Sequence, residues 1–237
     1  MDTNYTLELI KSYPRTRNPL PEEYAAIYDQ HYKENRSGKT TASSMSSKLE
    51  KWLHRKVAKS AKEGLSTLEI GAGTLNQLQY EPTGSTYDIV EPYAALFKDS
   101  ANLDRVRNIY ADISEIPLTQ KYDRITSIAC FEHICNLPEV LENTQRLLKP
   151  SGILSISIPN EGRFLWKFAY QNTTGREFRR RFHLDYEVLM RYEHINTADE
   201  IEALLRYYYK DIKCSMLGLG KNLSFYRHYL CKNPVIH

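Results

Sequence analysis

The chain has 237 residues, 41% of them apolar and 26% charged, with a formal net charge of +3 at pH 7, a length that commonly makes one α/β domain with a full core. No run approaches the roughly 20 apolar residues of a membrane span, and the N-terminus lacks the basic start and apolar stretch of an export signal, so the cytoplasm is the expected compartment. The charge is too small to point to nucleic acid, and Cys130, Cys135, Cys214 and Cys231 make neither a C-x-x-C pair nor a zinc-finger spacing, so no metal site is expected.

Residues 1–64 are polar and helical in pattern. Pro21-Glu22-Glu23 opens one helix, and Thr41 to Ala61 carries Met45, Leu49, Trp52, Leu53 and Val57 at helical spacing. Residues 65–158 then alternate short apolar runs with turns and helical stretches, the pattern of a parallel sheet with crossover helices. The expected strands are Thr67–Ile70, Thr86–Val90, Arg107–Tyr110, Arg124–Cys130 and Ile153–Ile158, each apolar enough for burial on both faces. Between the last two, Pro138–Lys149 reads as a helix stopped by Pro150-Ser151-Gly152. Residues 159–197 break the alternation and read as an insertion after the fifth strand, where α/β sheets place their ligands. Residues 198–237 hold a closing helix, Ala198–Tyr209, and two strand-like runs, Asp211–Met216 and Ser224–Cys231. All four segments are expected to form one domain.

The chemistry begins at Leu68 to Leu75, LEIGAGTL. A strand ending at Ile70 must turn sharply with its backbone close to a ligand, which Gly71 and Gly73 permit. A dinucleotide fingerprint wants a third glycine where Asn76 stands, and that departure weakens a nicotinamide reading. Twenty residues after Gly71, Glu91 ends YDIVE just before Pro92, placed so that its carboxylate accepts both hydroxyls of a ribose. The third strand leads into ADISEIP, where Asp112 either takes the exocyclic amine of adenine, with Ile113 covering the ring, or caps the next helix. The fourth strand delivers Phe131, Glu132 and His133 to the same edge of the sheet.

These pieces together resemble the class I S-adenosylmethionine-dependent methyltransferases, in the branch whose small members methylate metabolites and sugars. The resemblance covers residues 65–158 well, the tail by architecture and the first 60 residues weakly. It implies a Rossmann-like, doubly wound α/β sheet of order 3-2-1-4-5-7-6 with strand 7 antiparallel, and S-adenosylmethionine as cofactor, released as S-adenosylhomocysteine. By that likeness Glu69, Gly71 and Gly73 belong to the first motif, with Ala72 and Asn76 in the same loop. Glu91 is then the ribose acid, Asp112 and Ile113 form the adenine site, and Cys130 lies beside the cofactor. Leu75 stands where a further glycine is common, and Ala72 where cysteine or serine often sits, so the loop at the methionine end is expected to differ in shape.

Methyl transfer is an in-line displacement, so the protein chiefly aligns the acceptor and, for a hydroxyl, helps remove its proton. His133 is the first candidate base, with capping of the following helix as its structural alternative; His183, Asp185 and His194 form a second set within the insertion. Arg176, Arg179, Arg180 and Arg181, with a high count of 18 tyrosines, suit a small polar or anionic acceptor such as a nucleotide sugar, although charge runs are more often solvated helix faces. The leading expectation is therefore O-methylation of a sugar, nucleotide sugar or other small polar acceptor. The competing readings are a nicotinamide-dependent oxidoreductase and a non-catalytic partner that keeps the nucleotide fold. The pattern leaves the oligomeric state open, a homodimer included.

Overall fold

In a computed structural model, residues 3–28 and 43–235 are described, and every apolar run expected as a strand is one. They are β1 (Ser66–Ile70), β2 (Thr86–Val90), β3 (Asn108–Tyr110), β4 (Tyr122–Ile128), β5 (Leu148–Pro159), β6 (Tyr209–Leu219) and β7 (Leu223–Pro234). They form one sheet in the order β3-β2-β1-β4-β5-β7-β6. β1 to β5 run parallel, whereas β7 is antiparallel to both neighbours, with Ser157 opposite His228 and Met216 opposite Arg227. β1, β2 and β4 are buried almost throughout, as strands covered on both faces are. β3 departs from the expectation of two-sided burial: it is the sheet's edge, and Ile109 is exposed.

The helices are α1 (Thr3–Lys11), α2 (residues 22–28), α3 (Ser43–Ala58), α4 (Leu137–Leu147), α5 (Phe164–Asn172), α6 (Thr174–Phe182), α7 (Tyr186–Glu193) and α8 (Ala198–Tyr208). Thr41 and Ala42, the expected start of α3, lie outside the described residues. Pro138 sits in the first turn of α4, where a missing N–H costs nothing, and a reciprocal Thr197–Glu200 capping box starts α8. On one sheet face α1, α4 and α8 bury Leu9, Leu141, Leu147 and Leu204 against Leu68, Ile125, Leu154 and Ile156. On the other, Leu53 and Val57 of α3 meet Ile128 and Tyr226. The insertion after β5 is α5 to α7, and Tyr24 of α2 joins Phe178 and Leu189 in a separate apolar cluster upon it.

Only one parallel crossover uses an α-helix, α4 between β4 and β5. Those after β1, β2 and β3 use short 3-10 turns, among them Asn76–Tyr80, which corrects the expectation of crossover helices throughout. Leu75 begins the first of these in a left-handed conformation (φ 64°) while fully buried, and Pro82 and Gly84 follow within ten residues, so the segment cannot extend as a helix. α3 supplies the missing cover. Its His54 Nδ1 lies 2.9 Å from Gln77 Oε1, Gln77 donates to Glu81, and Glu81 receives a two-pronged ion pair from Arg124 of β4, at 2.8 and 2.6 Å. Gln77, Glu81 and Arg124 are all buried.

Removing one member of a buried, forked ion pair leaves an uncompensated charge, at a cost of about 3–5 kcal/mol. Arg124→Ala is therefore expected to lower the free energy of urea unfolding by about that amount, and the double change Arg124→Met with Glu81→Met to recover most of it. A second expectation concerns Glu69 of β1, 2% exposed and accepting a hydrogen bond from Tyr87 Oη at 2.9 Å. Burial raises its pKa from 4.5 to about 8, against the smaller opposing effect of that hydrogen bond. Between those two values the unfolded chain has lost this proton while the folded chain keeps it, so this group makes stability fall as pH rises. Glu69→Gln should flatten the decline in unfolding free energy measured from pH 5 to pH 8; an unchanged slope would show that Glu69 does not hold its proton.

Candidate active site

The turn after β1 lies at the carboxyl edge of the sheet. Gly71 and Gly73 both have positive φ, 71° and 53°, which glycine adopts without strain. Gly71 is also sterically required, since a Cβ there would stand 2.3 Å from Cys130 Sγ. The turn is held from β2 by Glu91, whose Oε2 accepts from Gly73 N at 2.8 Å and whose Oε1 accepts from Tyr93 N at 3.1 Å. Glu91 is buried and Pro92 exposed beside it. After β3, Asp112 Oδ1 accepts from Ser114 N and Oγ at 2.8 and 2.6 Å, so the capping expectation is met, and Ile113 is buried behind it. A buried carboxylate at the end of β2, an acid after β3, an apolar side chain next to it and a glycine turn at the end of β1 are the acceptor and contact set that an adenosine ribose and base require. The residues present fit an adenosyl cofactor.

A cleft of about 340 Å³ opens beside the turn, a size suited to a small molecule. Gly71, Ala72, Gly73, Thr74 and Asn76 form one wall, with Glu69 among the lining residues. Leu53 and His54 of α3, with Trp166, Tyr170 and Tyr226, line other parts of it. Glu132, His133 and His194 also line it. The two imidazoles pack edge to face with centroids 4.8 Å apart. His133 Nδ1 is 3.0 Å from the Glu193 carbonyl oxygen, and His194 Nδ1 is 2.7 Å from Glu161 Oε2. Glu161 also accepts from Trp166 Nε1 at 2.7 Å. Burial opposes charge on His194, but the carboxylates of Glu161 and Glu132 outweigh it and hold its pKa above the usual histidine value. Glu161 moves the other way: burial pushes its pKa up, but His194, the Trp166 indole N–H and the Gly162 amide together hold it below the ordinary carboxylate value.

Two backbone hydrogen bonds bring the histidines together: the amides of Ile195 and Asn196 both donate to the Glu132 carbonyl, at 2.9 and 3.1 Å. Asn196 is fully buried; its Nδ2 donates to the Phe131 and Ile134 carbonyls, both at 2.8 Å, and its Oδ1 accepts from Tyr13 Oη at 2.6 Å.

Of the four expected catalytic residues, His133 and His194 share this cleft, while His183 and Asp185 do not line it. His183 ends α6 in a left-handed turn, and Asp185 caps α7 by accepting from Glu187 N. Both are exposed on the outer turn of the insertion. Glu91, Pro92, Asp112, Ile113 and Cys130 lie along the same sheet edge without lining the cleft. Arg176, Arg179, Arg180 and Arg181 are exposed on α6, and no arginine or lysine lines the cleft among the described residues. Glu161, Trp166, Tyr170 and Tyr226 were not expected at the site. Their one signal was position: Glu161 and Trp166 directly follow the end of β5, where α/β sheets bind ligands.

A family profile described as a methyltransferase domain matches residues 41–208. A malonyl-[acyl-carrier protein] O-methyltransferase of Priestia megaterium (strain DSM 319 / IMG 1521) is 33% identical over 106 residues. That stretch is 42% of this chain and only 39% of the relative, so the chain matches less than half of that protein's length. Among solved structures, the plantazolicin methyltransferase BpumL, in complex with a monoazolic desmethylPZN analog and SAH, superposes with a TM-score of 0.62 at 16% identity, covering 97% of this chain and 98% of that one. A possible histamine N-methyltransferase from Thermotoga maritima gives 0.56 at 14% identity, covering 89% and 97%; likenesses this distant bear on the fold. With the profile spanning most of the chain and the sheet in this order, the chain belongs to the methyltransferase domain family and has the class I, S-adenosylmethionine-dependent methyltransferase fold.

Proposed function

We propose that this enzyme transfers a methyl group from S-adenosylmethionine to a hydroxyl oxygen of a small, uncharged polar acceptor. The observation that carries the reading is the juxtaposition in one cleft of the glycine turn and the His133–His194 pair. Glu91 would hold the ribose hydroxyls, Asp112 and Ile113 the adenine, and Gly71 to Gly73 the approach to the methionine end. Bound there, S-adenosylmethionine supplies a methyl carbon activated by its sulfonium, and the acceptor oxygen bonds to that carbon as the carbon–sulfur bond breaks, its own proton passing to water.

The chain's part is to align the acceptor and ease loss of that proton. The imidazoles of His133 and His194 line the part of the cleft where the acceptor hydroxyl would arrive. Trp166, Tyr170 and Tyr226 offer aromatic surface with polar tips, a combination suited to sugar-like or aromatic alcohols. No arginine or lysine lines the cleft among the described residues, so no guanidinium or ammonium group is placed to fork onto the phosphate of a nucleotide sugar.

Calorimetric titration should show S-adenosylmethionine and S-adenosylhomocysteine binding and NADH failing to bind; the opposite pattern would sink the reading. Glu91→Ala is expected to weaken cofactor binding by at least tenfold, the scale of one lost charge-assisted contact, about 1.5–3 kcal/mol. Gly71→Ala should do so more severely, because its methyl group meets Cys130 and its φ is strained. His133→Ala should lower turnover far more than cofactor affinity, measured with a panel of neutral sugars and small alcohols; parallel losses in both would remove His133 from the acceptor side.

A further inference from the structure

We propose that Glu132, His133 and His194 bind a divalent first-row transition ion, such as Zn²⁺, Mn²⁺ or Co²⁺, which holds the acceptor oxygen; this rests on the methyl-transfer reading above. One ligating atom from each of the three side chains lies within 4.8 Å of the others, and His133 Nε2 is 3.8 Å from Glu132 Oε1. Donors about 2.1 Å from a common ion are separated by about 3–3.5 Å, so side-chain closure of about 1 Å completes the set. Three protein ligands leave further positions for an acceptor oxygen, the arrangement of a catalytic rather than a structural site.

What surrounds the three side chains argues for ligation more than their proximity does. The partner of His133 Nδ1 is a backbone carbonyl and that of His194 Nδ1 a carboxylate, and both can only accept. In each neutral ring the proton is therefore on Nδ1, and the lone pair on Nε2. Metal-binding histidines carry this same outer bond, to a carbonyl or carboxylate, which fixes the tautomer and the ring orientation. The backbone hydrogen bonds from Ile195 and Asn196 to Glu132 fix the two chain segments that bring the ligands, so the site is largely built before any ion arrives. Two imidazoles and one carboxylate favour a transition ion over Mg²⁺, which prefers oxygen ligands. The absence of a cysteine motif pointed the other way at the level of sequence, because His133 and His194 are remote from each other along the chain.

A cation at this point would polarise the acceptor hydroxyl and lower its pKa without a protein base, and it would balance the acidic lining of the cleft. The test is calorimetry and Co²⁺ ligand-field spectroscopy on the full chain after chelation, with S-adenosylmethionine titrated in the same samples. One equivalent of Co²⁺ or Zn²⁺ should bind, with Mg²⁺ at least tenfold weaker. His194→Ala and Glu132→Gln should each weaken Co²⁺ binding by at least 100-fold while circular dichroism and cofactor binding stay unchanged. Glu161→Gln, which changes the outer bond to His194 together with the bond from Trp166 but none of the three ligands, should weaken it by about 10–100-fold. Absence of stoichiometric binding, or binding indifferent to His194→Ala and Glu132→Gln in folded protein, overturns the site. If the cofactor binds and no ion does, this inference alone fails; if the ion binds and the cofactor does not, the methyltransferase reading fails.

Discussion

The histidine side of the cleft depends on one buried amide, Asn196. Its side chain satisfies the Phe131 and Ile134 carbonyls at the end of β4 and receives the Tyr13 hydroxyl, while Arg15 bonds the Ile195 carbonyl and Glu200. Three pieces of chain far apart in sequence, the segment after α1, the turn after β4 and the junction of α7 with α8, are tied through it. A buried carbonyl that loses its donor costs roughly 1–3 kcal/mol, which sets the scale of this tie. The direction in which His133 and His194 face follows from this arrangement, and with it whatever chemistry they perform.

A second set of buried polar bonds governs the side of the glycine turn. Without a helix after β1, the short turn over residues 76–80 would have little to hold it. His54, Gln77, Glu81 and Arg124 hold it in series from α3 to β4. Leu75 meanwhile accepts a left-handed backbone where glycine would be unstrained, with its fully buried side chain packed in the cluster around Tyr87, Ile89 and Phe97. Burying a leucine contributes about 1.5–3 kcal/mol, against roughly 1–2 for the strained backbone, so the exchange of glycine for leucine is affordable.

Much of this was legible in the sequence because it is local. Apolar runs marked the strands to within a few residues, and the spacing of Gly71, Glu91 and Asp112 marked the sheet edge, since in a parallel sheet every strand ends on the same side as the turn that follows it. The histidine pair was legible only as two separate candidates, because their meeting depends on hydrogen bonds between the end of β4 and residues 195–196. His183 and Asp185 stand at helix ends, His183 closing α6 and Asp185 capping the start of α7, a place polar residues favour whatever else they do. The crossovers were misjudged because 3-10 turns and helices share the same apolar spacing over a single turn.

α3 both roofs one face of the sheet and lends Leu53 and His54 to the cleft wall. It precedes β1 in the chain, yet through His54 and Gln77 it packs on the turn that follows β1. Trimmed to begin at residue 65, the chain would bare Ile128 and Tyr226 to water and lose one wall of its cleft. Insertions or fusions that disturb the leading segment should reach both sides of the cleft, because α3 lines it and His54 also steadies the turn after β1.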